Sequence, residues 1–223
     1  MEQTHPGIEA AAFFDLDGTL VVGQTQRLLV SFLRAEGMVR FGFLVGVALW
    51  FAAYRLGLVK ATDAARARGA ELMKGMSVSD VAVLMDRFTE EALVPRLHEA
   101  AVAALREHQR VGDEVVIVSA ALAPVVEALG RRLGVTSCAG TRLEQRGGVY
   151  TGRLDGLSLY GTEKSRVALA FATTHGVALE NCAAYADHET DVDLLGAVGR
   201  PVAVSPRPAL ARIALERGWP VIP

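Results

Sequence analysis

Residues 10–19 read Ala-Ala-Ala-Phe-Phe-Asp-Leu-Asp-Gly-Thr: a short apolar run that stops at Asp15, adds a second carboxylate at Asp17 and turns at Gly18. Two more runs end the same way. Val115-Val116-Ile117-Val118 stops at Ser119, and Cys182-Ala183-Ala184-Tyr185-Ala186 stops at Asp187. Runs this short and this apolar predict parallel strands buried on both faces. Pro201-Val202-Ala203-Val204 predicts a last short strand. Between the strands, residues 124–133 before Gly134, 164–175 before Gly176, and 209–217 carry helix patterns with stop signals, and 141–154 predicts a hairpin turning at Gly147-Gly148. This alternation predicts an α/β fold with a doubly wound parallel sheet. Residues 24–109 break it. They read as helix almost throughout, with breaks at Gly37, Gly57, Gly75 and Pro95, which predicts an inserted α-helical cap standing over the end of the sheet. The expected domains are therefore a catalytic core of 1–23 with 110–223, and a helical cap of 24–109.

A chain of 223 residues holds one full core and a smaller appendage. Lys and Arg number 23 against 25 for Asp and Glu, a net charge of −2, and no long block has one sign. That excludes the basic footprint of a nucleic-acid binder. The opening MEQTHPGIE carries Glu2, Pro6 and Glu9 where an export signal needs a basic start and an apolar run, so the expected location is the cytoplasm. Cys138 and Cys182 stand in no CxxC or Cys/His spacing and are expected as buried thiols in a reducing compartment.

Ligands of an open α/β sheet bind beyond the carboxyl ends of its strands, where Asp15, Ser119 and Asp187 all fall. Asp15 and Asp17, two positions apart on extended chain, project to one side. Such a pair can divide labour: one carboxylate, kept ionised, attacks phosphorus, while the other, protonated, feeds a proton to the leaving oxygen. The pair also suits a plain solvated turn. Ser119 offers a hydroxyl, and the small Ala120 and Ala121 after it let backbone N–H groups approach an anion; capping of the helix near Pro124 is the alternative. Lys164 begins a helix, where the helix dipole does not favour a cation, and could neutralise a phosphate and a carboxylate together. Asp187, Glu189, Asp191 and Asp193 crowd a strand end and helix start. A hard cation such as Mg2+ offsets that repulsion; His188 between them is not expected to ligate it.

These residues resemble, in order and spacing, the four motifs of the haloacid dehalogenase superfamily: Phe14-Asp15-Leu16-Asp17-Gly18-Thr19-Leu20, Val118-Ser119-Ala120, Lys164, and Ala186-Asp187 with Asp191. The resemblance runs from about residue 11 to 223, and the helical insert is similar to the cap of the phosphoserine phosphatase-like branch. It implies that Asp15 forms an aspartyl-phosphate and that Asp17 protonates the leaving alcohol and later activates water. It further implies Mg2+ held by Asp15, the backbone carbonyl of Asp17, and Asp187, with Asp191 supporting that metal shell or Lys164. Thr19, Ser119, Ala120 and Lys164 would hold phosphate oxygens. Asp17 favours ester hydrolysis over carbon–halogen chemistry, which needs no such acid. The implied substrate is a small phosphomonoester, phosphoserine-like, histidinol phosphate-like or amphiphilic. Two rivals stand beside a hydrolase: a phosphotransferase to an alcohol, and a non-catalytic scaffold using its cap. The branch usually has a glutamate nine residues after the nucleophile, and here that residue is Gln24; a carboxylate-reading cap arginine has its counterparts in Arg66 and Arg68, off the usual offset. Residues 41–58, FGFLVGVALWFAAYRLGL from Phe41 to Leu58, are apolar nearly all round. At 18 residues they are at the short edge for a membrane span, and a span would part the first motif from the rest. A cap helix packed on its neighbours or against a second copy in a homodimer is expected, with a peripheral membrane or acyl-chain contact as the alternative.

Overall fold

The computed structural model describes residues 8–38 and 69–223. Strand β1 (Ala11–Phe14) is buried along its whole length and sits in the middle of a six-stranded sheet of order β3-β2-β1-β6-β7-β8. Its neighbours are β2 (Glu114–Leu122) and β6 (Ala183–Ala186), both parallel to it. Beyond β2 lies β3 (Ser137–Thr141); beyond β6 lie β7 (Arg200–Val204) and β8 (Val221–Ile222), again all parallel. The chain builds one half of the sheet and then crosses back, so the direction of winding reverses between β1 and β6. That is the switch point where an open sheet leaves a crevice.

The alternation of side chains along β1 feeds two cores. Ala12 and Phe14 join the layer formed with α1 (Thr25–Ala35), α2 (Val78–Phe88), α3 (Glu99–Val111) and α4 (Ala123–Leu133). Ala11 and Phe13 join the other layer, with α5 (Thr162–His175), α6 (Val192–Ala197) and α7 (Pro208–Arg217). Phe13 meets Phe171 edge-on at 5.8 Å, while Phe14 stacks flat on Tyr185 at 4.3 Å. Phe13 and Phe14, fully buried, each contribute roughly 1.5–3 kcal/mol of transfer free energy. Apolar side chains on both faces explain why the strands read as unbroken runs.

Between β1 and β2 the described residues are mostly helical, as expected. Helix α3 brings this stretch back onto the sheet: His108 lies in the core, with Nδ1 at 2.7 Å from Asp113 and Nε2 at 2.9 Å from the Tyr185 hydroxyl. The hairpin of β4 (Leu143–Arg146) and β5 (Val149–Leu154) turns at Gly147 and Gly148, both with positive φ. It is longer than two strands in effect. Residues 75–78 pair with it through Gly75 N–H to the Tyr150 carbonyl at 2.9 Å, Tyr150 N–H to the Met76 carbonyl at 3.0 Å, and Val78 N–H to the Gly148 carbonyl at 3.0 Å.

Strand β2 departs from expectation. It does not end at Ser119 but runs on to Leu122, with a register shift against β3 between Val118 and Leu122. The break releases residues 119–121 from the ladder at the carboxyl end of the sheet. Strands β3 and β8 were not expected, because Ser137-Cys138-Ala139-Gly140-Thr141 has no apolar run and β8 has two residues. The expected apolar segment 41–58 lies outside the described residues, and no helix among the described residues is long and apolar enough to cross a membrane. Neither cysteine is paired; Cys182 is buried and Cys138 half-buried. Burial pushes the Cys138 thiol up to about 11, so it is an inert core thiol.

Candidate active site

Asp15 is the first residue beyond β1, and its N–H donates to the Tyr185 carbonyl at 3.0 Å, which extends the β1–β6 pairing to the rim of the crevice. Gly18 turns the chain with φ of +85°. A Cβ there would lie 2.2 Å from Oδ2 of Asp187, so the close approach of this turn to Asp187 requires glycine twice over, for conformation and for space. From the turn the chain enters α1, whose Thr25 N–H donates to Oδ1 of Asp17 at 2.6 Å.

Lys164 comes in from the first turn of α5. Its Nζ donates to Oδ1 of Asp15 at 2.6 Å and to Oδ2 of Asp191 at 2.7 Å. The three side chains are 5%, 6% and 1% exposed. A solvated lysine, the commoner fate of a helix-start lysine, is thus excluded. Burial opposes its charge, but the two carboxylates outweigh burial and take its pKa up to about 12. One ammonium cannot balance two buried acids. Asp191 accordingly rises well above the ordinary carboxylate range, by burial first and then by Asp15.

Asp187 follows β6. Burial, then repulsion from Asp15, raises it to about 6. Its Oδ2 lies 3.4 Å from Nε of Arg207, whereas its Oδ1 and Oδ1 of Asp191 are buried without a hydrogen-bond partner among the described residues. Asp17 also rises to about 6, because burial outweighs the bond from Thr25. Four acids here face Lys164 and Arg207 alone among cavity-lining lysines and arginines. Orphaned carboxylate oxygens and a shortage of positive charge are what a hard cation with oxygen ligands corrects, and a Mg2+ that keeps several waters needs only a few carboxylates.

Ser119 is buried and its Oγ accepts from Ala121 N–H at 3.1 Å; the Ala120 carbonyl is pinned by the Thr141 hydroxyl at 2.9 Å. These two bonds fix the bulge at the carboxyl end of the sheet. One cavity of about 250 Å³ is lined by Asp15, Asp17, Gln24, Ser119, Ala120, Lys164, Asp187 and Asp191. Of the expected residues, Thr19 does not line it. Thr19 lies wholly buried behind, its Oγ1 without a partner among the described residues. Of the four acids in the last cluster, two turn inward; Glu189 and Asp193 are exposed, and Glu189 pairs with His188 at 3.3 Å. Arg66 and Arg68 lie outside the described residues. Gln26, Tyr160, Thr190 and Arg207 also line the cavity and were not singled out from the sequence; His188, set aside there as a metal ligand, lines it too. Arg207 was within reach: it follows the last expected strand at the same carboxyl edge.

A family model described as haloacid dehalogenase-like hydrolase matches residues 12–196. The phosphoserine phosphatase SerB1 of Mycobacterium tuberculosis is 32% identical over 96% of this chain and 70% of its own length. A solved structure of a protein of unknown function from Bordetella pertussis Tohama I superposes with a TM-score of 0.85 at 30% identity, covering 96% of this chain and 98% of that one. A structure described as a phospho-aspartyl intermediate analogue of phosphoserine phosphatase shares the fold at a TM-score of 0.62 and 21% identity, over 94% of this chain and 98% of that one. With its fold, its buried lysine–carboxylate pair and these likenesses in agreement, the chain belongs to the haloacid dehalogenase-like hydrolase family and is one of its phosphatases.

Proposed function

We propose that this chain hydrolyses a small phosphomonoester by way of an aspartyl-phosphate on Asp15. The observation that carries this reading is the Lys164 ammonium, buried and bridging Asp15 and Asp191 at 2.6 and 2.7 Å at the switch point of the sheet. It holds one oxygen of Asp15 and aims the carboxylate, leaving the other oxygen for bond formation.

That oxygen bonds to phosphorus as the ester P–O bond breaks, and the departing alkoxide takes a proton from Asp17. Burial holds Asp17 at about 6, close enough to neutrality for both halves of its task. The Thr25 N–H fixes its orientation. In the second half-reaction water attacks phosphorus, its proton returns to Asp17, and the Asp15–phosphorus bond breaks to release phosphate. Ser119, the backbone at Ala120, and Lys164 hold the phosphate oxygens, with Thr19 supporting the turn from behind. Asp15, the Asp17 carbonyl and Asp187 would hold Mg2+, which supplies charge neutralisation on the transferring phosphoryl group; Asp191 keeps Lys164 in place. In the same reading, residues 1–23 and 110–223 form the catalytic core and 24–109 the cap, with Gln24, Arg66 and Arg68 contributing to substrate specificity. Two unpaired cysteines support a reducing, cytoplasmic setting.

The test is phosphate release from a panel of phosphomonoesters with and without Mg2+, together with acid-quench trapping of the phosphoenzyme. Asp15→Asn should abolish both signals. Turnover at the wild-type rate in that variant would refute the assignment.

A further inference from the structure

We infer that Arg207 reads a second anionic group on the substrate, which makes the phosphate of a hydroxy acid, not of an amino acid, the chemical class this site takes. This rests on the phosphomonoesterase reading and adds the identity of the leaving group.

The charge of the cavity is divided by depth. The acids lining it among the described residues are Asp15, Asp187 and Asp191, all buried, and the partly buried Asp17. The remaining lining residues around the mouth are Gln24, Gln26, Tyr160, His188, Thr190 and Arg207. That rim offers one permanent cation and no carboxylate among the described residues. Among the described residues of that rim, an ammonium on the substrate would find neutral acceptors such as Gln24, which lacks the charge that strengthens such a hydrogen bond. A carboxylate would find a guanidinium, whose planar fork matches it.

Arg207 is also held in place by more than a surface loop requires. Ser205, two residues before it, has φ of +36°, the one positive value among described non-glycine residues. Its hydroxyl shares a hydrogen bond with Nε2 of His98 at 3.1 Å, and its N–H donates to the Ile222 carbonyl at 2.9 Å. Arg207 N–H donates to the Asp187 carbonyl at 2.9 Å, and Pro208 opens α7 directly behind it. Backbone strain of this kind persists only where the surroundings enforce it, and it gathers at ligand-facing loops. The side chain itself remains half exposed, and its described contact is the long one to Asp187 at 3.4 Å. A cation fixed at its backbone and loosely engaged at its tip is placed to meet a ligand.

Three esters isolate the idea. Glycerol 3-phosphate, 3-phosphoglycerate and O-phosphoserine share a three-carbon frame: the first two differ by hydroxymethyl against carboxylate, the last two by hydroxyl against ammonium. Wild-type kcat/KM should favour 3-phosphoglycerate over the other two. Arg207→Gln should shrink its advantage over glycerol 3-phosphate by about ten-fold, the loss of one charge-assisted hydrogen bond, read in KM and partly restored by Arg207→Lys. An equal loss on both esters, a wild-type preference for O-phosphoserine, or loss of discrimination in Arg66→Gln or Arg68→Gln but not in Arg207→Gln would overturn the inference. If wild-type protein released phosphate from no ester, p-nitrophenyl phosphate included, the phosphatase reading would fall instead. Calorimetric binding of the same three esters would then decide the inference by the same ratio.

Discussion

Lys164→Met separates structural from chemical roles at the floor of the site. In the wild-type protein one ammonium serves Asp15 at 2.6 Å and Asp191 at 2.7 Å, all three side chains at most 6% exposed. Methionine keeps most of the volume and removes the charge, leaving two desolvated carboxylates facing each other. Breaking a buried pair in this way costs about 3–5 kcal/mol. For a chain of this length each kcal/mol lowers Tm by roughly 2–4 °C, so the variant should melt about 6–20 °C below wild type by circular dichroism. The defect has a pH signature. Asp191 is raised in the folded state even with the lysine present, and removing the ammonium raises it further. A carboxyl whose folded pKa exceeds its unfolded value binds more protons when folded, so the stability gap should narrow as pH falls from neutrality toward 5. Adding Asp191→Asn should recover stability with a coupling of about 0.5–3 kcal/mol, while turnover stays lost. A single variant melting within about 2 °C of wild type at pH 7.5, or a double variant with purely additive loss, would refute the account of Lys164 as the charge that makes this floor foldable.

Other substitutions test the remaining parts. Asp17→Asn should slow turnover of alkyl phosphates by about 10²–10⁴-fold, and less for p-nitrophenyl phosphate, whose leaving group needs little protonation; equal losses on both would remove Asp17 from the acid role. Gly18→Ala forces a Cβ to 2.2 Å from Asp187 Oδ2 at φ of +85°. It should cost roughly 1–2 kcal/mol of stability from conformation alone and raise the Mg2+ concentration needed for half-maximal activity, measured by titration; an unchanged Mg2+ requirement would argue against Asp187 as a ligand. In wild-type protein, turnover should vanish on treatment with a chelator and return on adding Mg2+; activity that persists in chelator would remove the metal from the mechanism.

Most of the frame was legible because buried parallel strands are apolar on both faces and end abruptly. Ala11–Phe14 and Ala183–Ala186 show both properties, and each stops next to a carboxylate. Ser119 lines the cavity, but the argument that placed it at a strand end was incomplete. The strand continues past it, and a register shift, which has no sequence signature in Ala120-Ala121, is what frees the loop. Strands β3 and β8 were invisible since neither has an apolar run of its own. Lys164 was noticed as an oddity of helix electrostatics, yet its burial follows from two acids 149 and 27 residues away, which no local pattern carries. Arg207 was passed over for a related reason: a lone arginine after a short strand reads as solvated until its loop is seen to be anchored from three directions.

The short pairing of residues 75–78 with the β4–β5 hairpin changes how the helical stretch can move. The hairpin leaves the sheet between β3 and α5, so these hydrogen bonds form a seam besides the two ends of the stretch. The part of the stretch paired with the hairpin is also tied to α4 by the Arg131–Asp86 and Arg132–Glu90 ion pairs, so to move it must either unzip the hairpin seam or carry the hairpin along. In native-state hydrogen exchange, the amides of Gly75, Val78 and Tyr150 should therefore open together, as one latch, and lengthening the Gly147-Gly148 turn should loosen all three at once.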